Sequence, residues 1–489
     1  MLILQSVPYD HDDVTGPFDD KPFPQRKIYL DILPKIASEI APNVQYWASS
    51  PWGGTTANDP TQGDIHQWRG KSQTRRAPAS RPPRLWIYKG LTITVWHADQ
   101  LSYQKYKDLS GRFVSEFGMH SFPVQRTVDT FAPDPLDRYP QSKVIDCHNK
   151  GHGAETRIAR YLSENFRYSL EFEDFVYCTQ LLQSEALGYA LRDWKRKFAG
   201  HGREECAGAI IWQLNDVCKW LYLCTLVDTW SLTGGCYNWT TANQCASEDP
   251  ATSWAYVDYY LRPKPAFYTI KRSFAPLSIG VERTPRSLFI DEDKPLPSYV
   301  PSFEVFAHNM TNAEVCCHLR IRIYDMMKRK WLENGDNQDC AVTLTPHYNN
   351  EISKIERDED WDEGALLVLE ACLFDSDGKV LARVVDWPEP FRYLRWEEDT
   401  KVDVAVEAGP PESTWENTVT VVANHPVKGC WLEPVYDGTE PEAGREPTWS
   451  DNMLDLMPGT PIYLGVTGLG GRELRVRFLG DWEINADKN

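Results

Sequence analysis

Apolar and polar positions follow two different periods along this chain, and the change falls near residue 275. Before that point, apolar residues recur at helical spacing over 24–42, 154–167 and 171–199. Strand-like apolar runs at 44–47 and 207–214 alternate with these helices. Such alternation is typical of an α/β fold with parallel strands. The first predicted helix carries five apolar side chains on one face, namely Tyr29, Ile32, Leu33, Ile36 and Ile40.

Beyond residue 275, short runs alternate apolar and polar residues at every second position, and polar turns separate them. Runs at 302–306, 318–324 and 365–370 predict the strands of a β-sandwich. Pro388 and Pro390 indicate a boundary, because a second β unit follows with strands predicted at 402–406 and 474–478. The sequence therefore predicts an α/β domain over 1–273, a β-sandwich over 274–390 and a second β-sandwich over 391–489.

Composition narrows the class of partner. The 489 residues carry a formal net charge of −18. Nucleic acids and anionic membranes require basic patches, so this excess of acid argues against both and favours a neutral substrate. Aromatic residues make up 12% of the chain, which fits either large cores or platforms that stack on sugar rings. No apolar run reaches 18 residues, so no transmembrane helix is expected.

Two segments depart from this texture. Residues 69–89 hold seven cations and no acid, and residues 218–248 hold four of the twelve cysteines. Surface insertions explain both, while a basic arm for nucleic acid and a four-cysteine zinc site are less common alternatives. The other cysteines show no paired spacing, so most are expected to be reduced and buried. No metal or organic cofactor is expected.

A single carboxylate indicates chemistry. Glu116 lies in an apolar, aromatic run over 112–123, where a carboxylate is costly to bury unless it is paired or used. A second strand-like run, 207–216, ends in an indole, an amide and an acid. We expect the C-terminal ends of these two strands to face one site. The alternative is a structural acid that pairs with Arg112.

Several longer motifs, in order, resemble glycoside hydrolase family 2, especially its fungal B-type β-mannosidases. They cover nearly all of the chain outside the two atypical segments. These motifs lie at 23–29, 46–54, 63–68, 112–123, 212–216, 254–272 and 449–459.

The resemblance implies a catalytic (β/α)8 TIM barrel and immunoglobulin-like β-sandwich domains. It also implies a retaining exo-glycosidase that removes terminal β-D-mannose, inside the cell, from β-mannoside oligosaccharides. In that mechanism one carboxylate attacks the anomeric carbon, and a second protonates the leaving oxygen. The nucleophile would be Glu116, and Trp212 would form the floor under the sugar ring. Further substrate-binding residues would be Trp96, His97, Trp47, Asn215 and Asp216.

The chain also departs from the family. The acid/base residue of the family motif has no counterpart here, and only barrel strands five to eight and the two sandwiches are matched. Two atypical insertions, 70–94 and 218–248, interrupt family motifs. They are hypothesised to be retained introns, because their first codons can contain a common intron start. The alternative is two genuine loops at the active-site face of a barrel.

Three functions follow as hypotheses. The first is the C-terminal half of a β-mannosidase, inactive by itself because leaving-group protonation is lost. The second is another glycosidase of the same family, such as a β-galactosidase or β-glucuronidase. The third is a carbohydrate-binding protein or pseudo-enzyme that keeps the pocket without the chemistry. Oligomeric state and the natural oligosaccharide do not follow from the sequence.

Overall fold

The chain divides into two units, Met1–Gly118 with Tyr189–Trp212 and Met119–Gly188 with Gln213–Asn489. The computed structural model describes residues 2–3, 27–48, 50–52, 59–68, 70–71, 92–93, 101–151, 153–169, 171–216, 250–284, 289–291, 294–295, 301–332, 338–356, 365–436 and 446–486. The atypical insertions therefore lie outside the described residues, apart from 70–71 and 92–93.

The first unit contains a parallel sheet. Its strands are β3 (Ile65–His66), β6 (Val114–Phe117) and β7 (Ala209–Ile211), in the order β3-β6-β7. Both pairs are parallel, as expected for the α/β part of the chain. β7 is shorter than the strand predicted at 207–214.

The remaining elements of this unit are short. A π-helical segment, Ile28–Ile32, leads directly into α1 (Leu33–Ile40), which confirms the first predicted helix over its described residues. The other elements are β1 (Leu2–Ile3), β2 (Tyr46–Trp47), β4 (Gly70–Lys71), β5 (Thr92–Ile93) and a 3₁₀ helix, Tyr103–Leu109. β1 pairs with β2 in parallel, and β4 pairs with β5 antiparallel.

Aromatic side chains form the core beneath β6. The ring of Phe117 lies 4.6 Å from that of Trp194 and 5.8 Å from that of Tyr106, in edge-to-face arrangements. Trp194 Nε1 also donates a hydrogen bond of 2.7 Å to the Tyr106 carbonyl. Because all three rings are buried, this cluster anchors the end of β6.

The second unit begins with helices. They are α2 (Gln125–Phe131), α3 (Lys143–His148), α4 (Ala154–Asn165), α5 (Phe172–Arg196), which continues into the first unit, and α6 (Pro265–Phe274). The helices predicted at 154–167 and 171–199 are confirmed as α4 and α5. Within the described ranges, no helix is both long and apolar enough to cross a membrane. A 3₁₀ turn, Pro135–Asp137, precedes α3.

A first pair of sheets follows in the same unit. One contains β8 (Leu277–Thr284), β11 (Ser302–Asn309) and β15 (Tyr348–Ile355). The other contains β12 (Val315–Asp325), β13 (Lys330–Trp331), β14 (Gln338–Leu344), β16 (Leu367–Phe374) and β17 (Val380–Asp386). Both sheets contribute to one apolar core, including Val305, Phe303, Leu319, Ile321 and Leu369. A short hairpin is formed by β9 (Phe289–Asp291) and β10 (Lys294–Pro295).

Two more sheets complete the unit. One contains β18 (Val402–Ala408), β19 (Asn417–Ala423), β21 (Thr448–Trp449) and β23 (Ile462–Thr467). The other contains β20 (Val427–Pro434), β22 (Leu454–Leu456) and β24 (Leu474–Arg477). A 3₁₀ turn, Phe391–Tyr393, precedes them, and α7 (Asp481–Ala486) follows. The strands predicted by alternation are confirmed, whereas the predicted domain boundaries stay predictions.

The described cysteines are mostly buried thiols. Cys178, Cys206, Cys317, Cys372 and Cys430 are buried and free, Cys316 and Cys340 are exposed and free, and Cys147 is disulfide-bonded. Burial raises the pKa of Cys372 to about 12. Such thiols stay protonated, so they behave as small apolar side chains.

A buried ion pair joins β8 to β17. Arg283 is fully buried, and its Nε donates to Asp386 Oδ2 at 2.7 Å. Its Nη2 also donates to the Leu367 carbonyl at 2.7 Å. Breaking a buried pair is costly because it leaves an uncompensated charge in a medium that solvates it poorly.

We expect Asp386→Ala to lower the free energy of unfolding by about 3–5 kcal/mol, since Arg283 would stay buried without its carboxylate. Urea unfolding followed by tryptophan fluorescence measures this change. The matched control is Asp377→Ala, because Asp377 is exposed in the β16–β17 turn. Equal unfolding midpoints for the two variants would contradict the prediction.

Candidate functional site

Glu116 lies near the C-terminal end of β6, between two buried residues. Its side chain is 16% exposed, so the carboxylate is accessible although most of its surroundings are protein. Successive residues of a strand point to opposite faces. Phe117 therefore faces the aromatic core while Glu116 faces the other side of the sheet.

Two side chains from the region of β3 contact this carboxylate. His66 belongs to β3, and Trp68 follows it. Trp68 Nε1 donates a hydrogen bond of 2.8 Å to Glu116 Oε2. His66 Nδ1 lies 3.3 Å from the same oxygen. The backbone supports this arrangement, because Gln67 N donates to the Glu116 carbonyl at 2.7 Å. Parallel pairing of β3 with β6 thus brings together residues that are about fifty positions apart.

A buried carboxylate, Asp64, organises the residues behind His66. Its Oδ1 accepts bonds from Trp47 Nε1 at 2.7 Å and from Trp52 N at 2.9 Å. Its Oδ2 accepts a bond from Ser50 Oγ at 2.6 Å and another from Ser115 Oγ. These four donors satisfy the carboxylate, which is only 5% exposed.

Ser50 connects this carboxylate to the histidine. Its Oγ lies 3.0 Å from His66 Nε2, while the same oxygen contacts Asp64 Oδ2. Ser50 has one hydroxyl hydrogen. If Ser50 donates it to Asp64, a hydrogen bond between Ser50 and His66 requires the ring proton of His66 to lie on Nε2. If Ser50 donates its hydrogen to His66 Nε2 instead, the ring proton of His66 lies on Nδ1 and can be donated to Glu116. The tautomer of His66 is thereby linked to the ionisation of Glu116.

Burial disfavours charge on both members of the pair. Desolvation lowers the pKa of His66 to about 4, although the Asp64 charge opposes this change. Desolvation also raises the pKa of Glu116, and the Asp64 charge adds to that rise. The hydrogen bond from Trp68 acts in the opposite direction, because it stabilises the carboxylate form.

Gly118 allows the ends of β6 and β7 to approach closely. A Cβ at this position would lie 2.3 Å from the Trp212 carbonyl oxygen and 3.0 Å from the Trp68 indole. Trp212 N donates to the Phe117 carbonyl at 2.8 Å, and the Trp212 side chain is 38% exposed. Trp212 is therefore not a core residue, and its backbone is bonded to the residue that follows Glu116.

Asn215 and Asp216 belong to the second unit. Asn215 Nδ2 donates to the Asp216 carbonyl at 3.1 Å. Asp216 is 5% exposed, accepts a bond from Ser253 Oγ and lies near the fully buried Lys264. Burial raises the pKa of Asp216 to about 6 and lowers that of Lys264 to about 8. In these contacts Asn215 and Asp216 bind neighbouring protein groups, and their role in substrate binding stays a prediction.

The structure thus gathers Glu116, Trp47 and the Trp212 backbone in the first unit, whereas Trp96 and His97 lie outside the described residues. The residue pattern alone gave no role to Trp68 or Ser50, and it left the roles of His66 and Asp64 open. The segment 63–68 did carry a signal, because it places an acid, a histidine and an indole within six residues of one another.

We expect His66 to remain neutral from pH 5 to 8, because its pKa in the folded protein lies near 4. Between about pH 4 and 6.5, His66 binds more protons in the unfolded chain than in the folded one. The contribution of His66 to the free energy of unfolding therefore rises with pH over that window. Imidazole ¹⁵N shifts in histidine-labelled protein test this, with His66→Asn for assignment. A titration midpoint near 6.5 would contradict it.

Gly118→Ala should destabilise the ends of β6 and β7 by about 1–3 kcal/mol, because the methyl group overlaps the Trp212 carbonyl oxygen. Thermal unfolding measures the loss. The prediction fails if Gly118→Ala unfolds at the temperature of the unmodified protein.

Comparison with known proteins gives these residues a context. A family profile described as a Mannosidase Ig/CBM-like domain matches residues 302–393. A solved structure, the β-D-mannosidase from Dictyoglomus thermophilum, superposes with a TM-score of 0.67 at 20% identity. The match covers 92% of this chain and 44% of that chain, and at this identity it shows a shared fold.

Curated fungal proteins match at higher identity. Beta-mannosidase B from Thermothelomyces thermophilus is 35% identical over 476 residues, which is 94% of this chain and 46% of that protein. Beta-mannosidase B from Emericella nidulans is 32% identical over 465 residues, with the same coverage of each. The resemblance found in the sequence motifs is confirmed. The chain is a homologue of the fungal β-mannosidase B proteins over nearly all of its own length, and it spans about half of theirs.

Proposed function

We propose that this chain carries the nucleophile and the −1 sugar platform of a retaining, β-mannosidase-type exo-glycosidase. The observation that carries the proposal is the Glu116 carboxylate, which is partly accessible at a strand end and bonded to Trp68 at 2.8 Å. The fungal relatives are named as β-mannosidases, which supports β-mannosides as the substrate class. The parallel strands would be the part of a (β/α)8 barrel that corresponds to strands five to eight.

The chemistry assigned to Glu116 is a double displacement. An ionised Oε atom attacks the anomeric carbon, a bond from carbon to Glu116 forms, and the glycosidic oxygen leaves with its electron pair. Water then attacks the same carbon, the bond from that carbon to Glu116 breaks, and its electron pair returns to the carboxylate. A second water molecule takes the proton, and the sugar leaves with restored configuration. Burial raises the pKa of Glu116. On acidification, the carboxylate should therefore be protonated, and the first step lost, at a higher pH than for an exposed glutamate.

Leaving-group protonation is not assigned to Asp64. Its oxygens already accept four hydrogen bonds, and the side chain is buried. We propose that the 489-residue chain lacks the acid/base of its relatives. It would therefore act only on substrates whose leaving groups depart without a proton. General acid catalysis contributes about 10²–10⁴-fold, which sets the size of the expected deficit.

The test uses aryl β-D-mannosides of graded leaving-group ability. We expect slow release of 2,4-dinitrophenolate by the chain, near-background hydrolysis of phenyl β-mannoside, and loss of the first activity in Glu116→Gln. Mass spectrometry should find a mannosyl ester on the peptide that contains Glu116. The matched control is Glu205→Gln, which changes an exposed glutamate of the same unit.

Specific outcomes would overturn the proposal. Retention of dinitrophenolate release by Glu116→Gln would remove Glu116 from the nucleophile role. A preference for the matching galactoside or glucuronide would replace the substrate class while keeping the reaction. Binding of β-mannosides without any release or ester would favour the pseudo-enzyme hypothesis.

A further inference from the structure

The Ser50 hydroxyl lies among three polar partners and has a single hydrogen to donate. Its Oγ is 2.6 Å from Asp64 Oδ2, 3.0 Å from His66 Nε2 and 3.1 Å from Ser115 Oγ. A hydroxyl that donates to a carboxylate makes a bond of about 2.5–2.7 Å, shorter than a bond to a neutral acceptor. The contact with Asp64 has that length, and the other two contacts are longer. The Ser50 hydrogen is therefore directed to Asp64.

This hydrogen bond fixes the tautomer of His66. With its own hydrogen directed to Asp64, Ser50 can only accept a hydrogen from the ring, so Nε2 carries the proton. Burial lowers the pKa of His66 to about 4, so the ring is neutral near pH 7 and Nδ1 keeps a lone pair. The other tautomer would replace the 2.6 Å bond to Asp64 by a contact of 3.3 Å with Glu116, which is the weaker of the two.

Three contacts connect the two carboxyl groups, and the neutral side chains between them supply two hydrogens. The contacts run from Glu116 through His66 and Ser50 to Asp64. One ring N–H and one hydroxyl cannot serve three contacts, so the contact between Nδ1 and Glu116 Oε2 has no hydrogen while Glu116 is ionised. A proton on Oε2 completes the chain, because Glu116 then donates to Nδ1.

The titratable groups that face this contact come from β3, from the residue before it and from β6. They are His66, Asp64 and Glu116. The other neighbour of β6 is β7, whose residues Ala209–Ile211 do not titrate. Desolvation and then the Asp64 charge raise the pKa of Glu116, which is also the direction set by the missing hydrogen. The hydrogen bond from Trp68 opposes both, since it stabilises the ionised form.

We propose that Ser50 is a positioning residue for Glu116 in its proposed role as the nucleophile, on which this inference rests. By directing its hydrogen to Asp64, Ser50 keeps His66 in the Nε2–H tautomer. His66 then accepts a hydrogen bond from protonated Glu116 but donates none to the ionised carboxylate. A carboxylate that lacks this hydrogen bond is more basic, and greater basicity makes a stronger nucleophile.

The tautomer is tested in the unmodified protein without substrate. Labelling histidine with ¹⁵N shows which ring nitrogen is protonated, and couplings to the ring C–H hydrogens distinguish Nδ1 from Nε2. We expect the hydrogen on Nε2 of His66 at a pH where Glu116 is fully ionised. His66→Asn assigns the signals. A hydrogen on Nδ1 under these conditions would overturn the proposal.

Ser50→Ala removes the constraint on the ring. The His66 proton should move to Nδ1 and be donated to ionised Glu116, so the titration midpoint of Glu116 should fall by about one pH unit, as expected for one hydrogen bond to a charged group. The midpoint is measured from the ¹³Cδ shift of labelled glutamate, and Glu116→Gln assigns it. Ser50→Thr retains the hydroxyl and should retain the midpoint. Ser38→Ala is the matched control, because Ser38 is an exposed serine of α1.

The kinetic counterpart is the pH profile of dinitrophenolate release from the aryl mannoside. Its acid limb should move to lower pH in Ser50→Ala and stay in place in Ser38→Ala. A Glu116 midpoint that is unmoved or higher in Ser50→Ala, with the ring proton still on Nε2, would overturn the proposal. The expected tautomers and midpoints without any dinitrophenolate release from the unmodified chain would confirm the hydrogen-bond arrangement and reject the proposed function instead.

Discussion

The buried carboxylate of Asp64 is the constraint on which the candidate site depends. A carboxylate with so little exposure is tolerated only when donors surround it, and here four donors from β2, from the loop 50–52 and from β6 do so. One of them is Ser115, the residue before Glu116. Since successive strand residues point to opposite faces, holding Ser115 towards Asp64 also sets the direction of the Glu116 side chain.

The electrostatics of the site follow from burial more than from charge pairing. Desolvation favours the neutral form of both Glu116 and His66, whereas a nucleophile must ionise to react. The Trp68 indole resolves part of this conflict, because an N–H donor stabilises a carboxylate without adding a charge that would itself require solvation. An arginine in the same place would have lowered the pKa of Glu116 further and weakened the carboxylate as a nucleophile.

The local spacing of apolar residues predicted those helices and strands that form one continuous apolar face. Helices α4 and α5 and the strands of the second unit match because their apolar spacing extends over many residues. The place of Glu116 near a strand end was also predictable, since a lone carboxylate in an apolar run is conspicuous. Its partners Trp68 and His66 were not, because parallel pairing joins residues about fifty positions apart. The apolar spacing of 28–40 predicted a helix, but spacing cannot tell whether an apolar row is covered.

Buried charges also decide between interpretations of the second unit. Lys428 of β20 is 2% exposed and lies 2.9 Å from Glu185 of α5 and 3.4 Å from Asp455. Tyr177 Oη of α5 donates to the Gly429 carbonyl at 2.7 Å. Separating β20 from α5 would remove the Glu185 carboxylate from Lys428, which would keep only the longer contact with Asp455. A sugar-binding module on a flexible linker would not need such contacts. The last sheets are therefore better understood as a support for the part of α5 over 172–188, which belongs to the same unit.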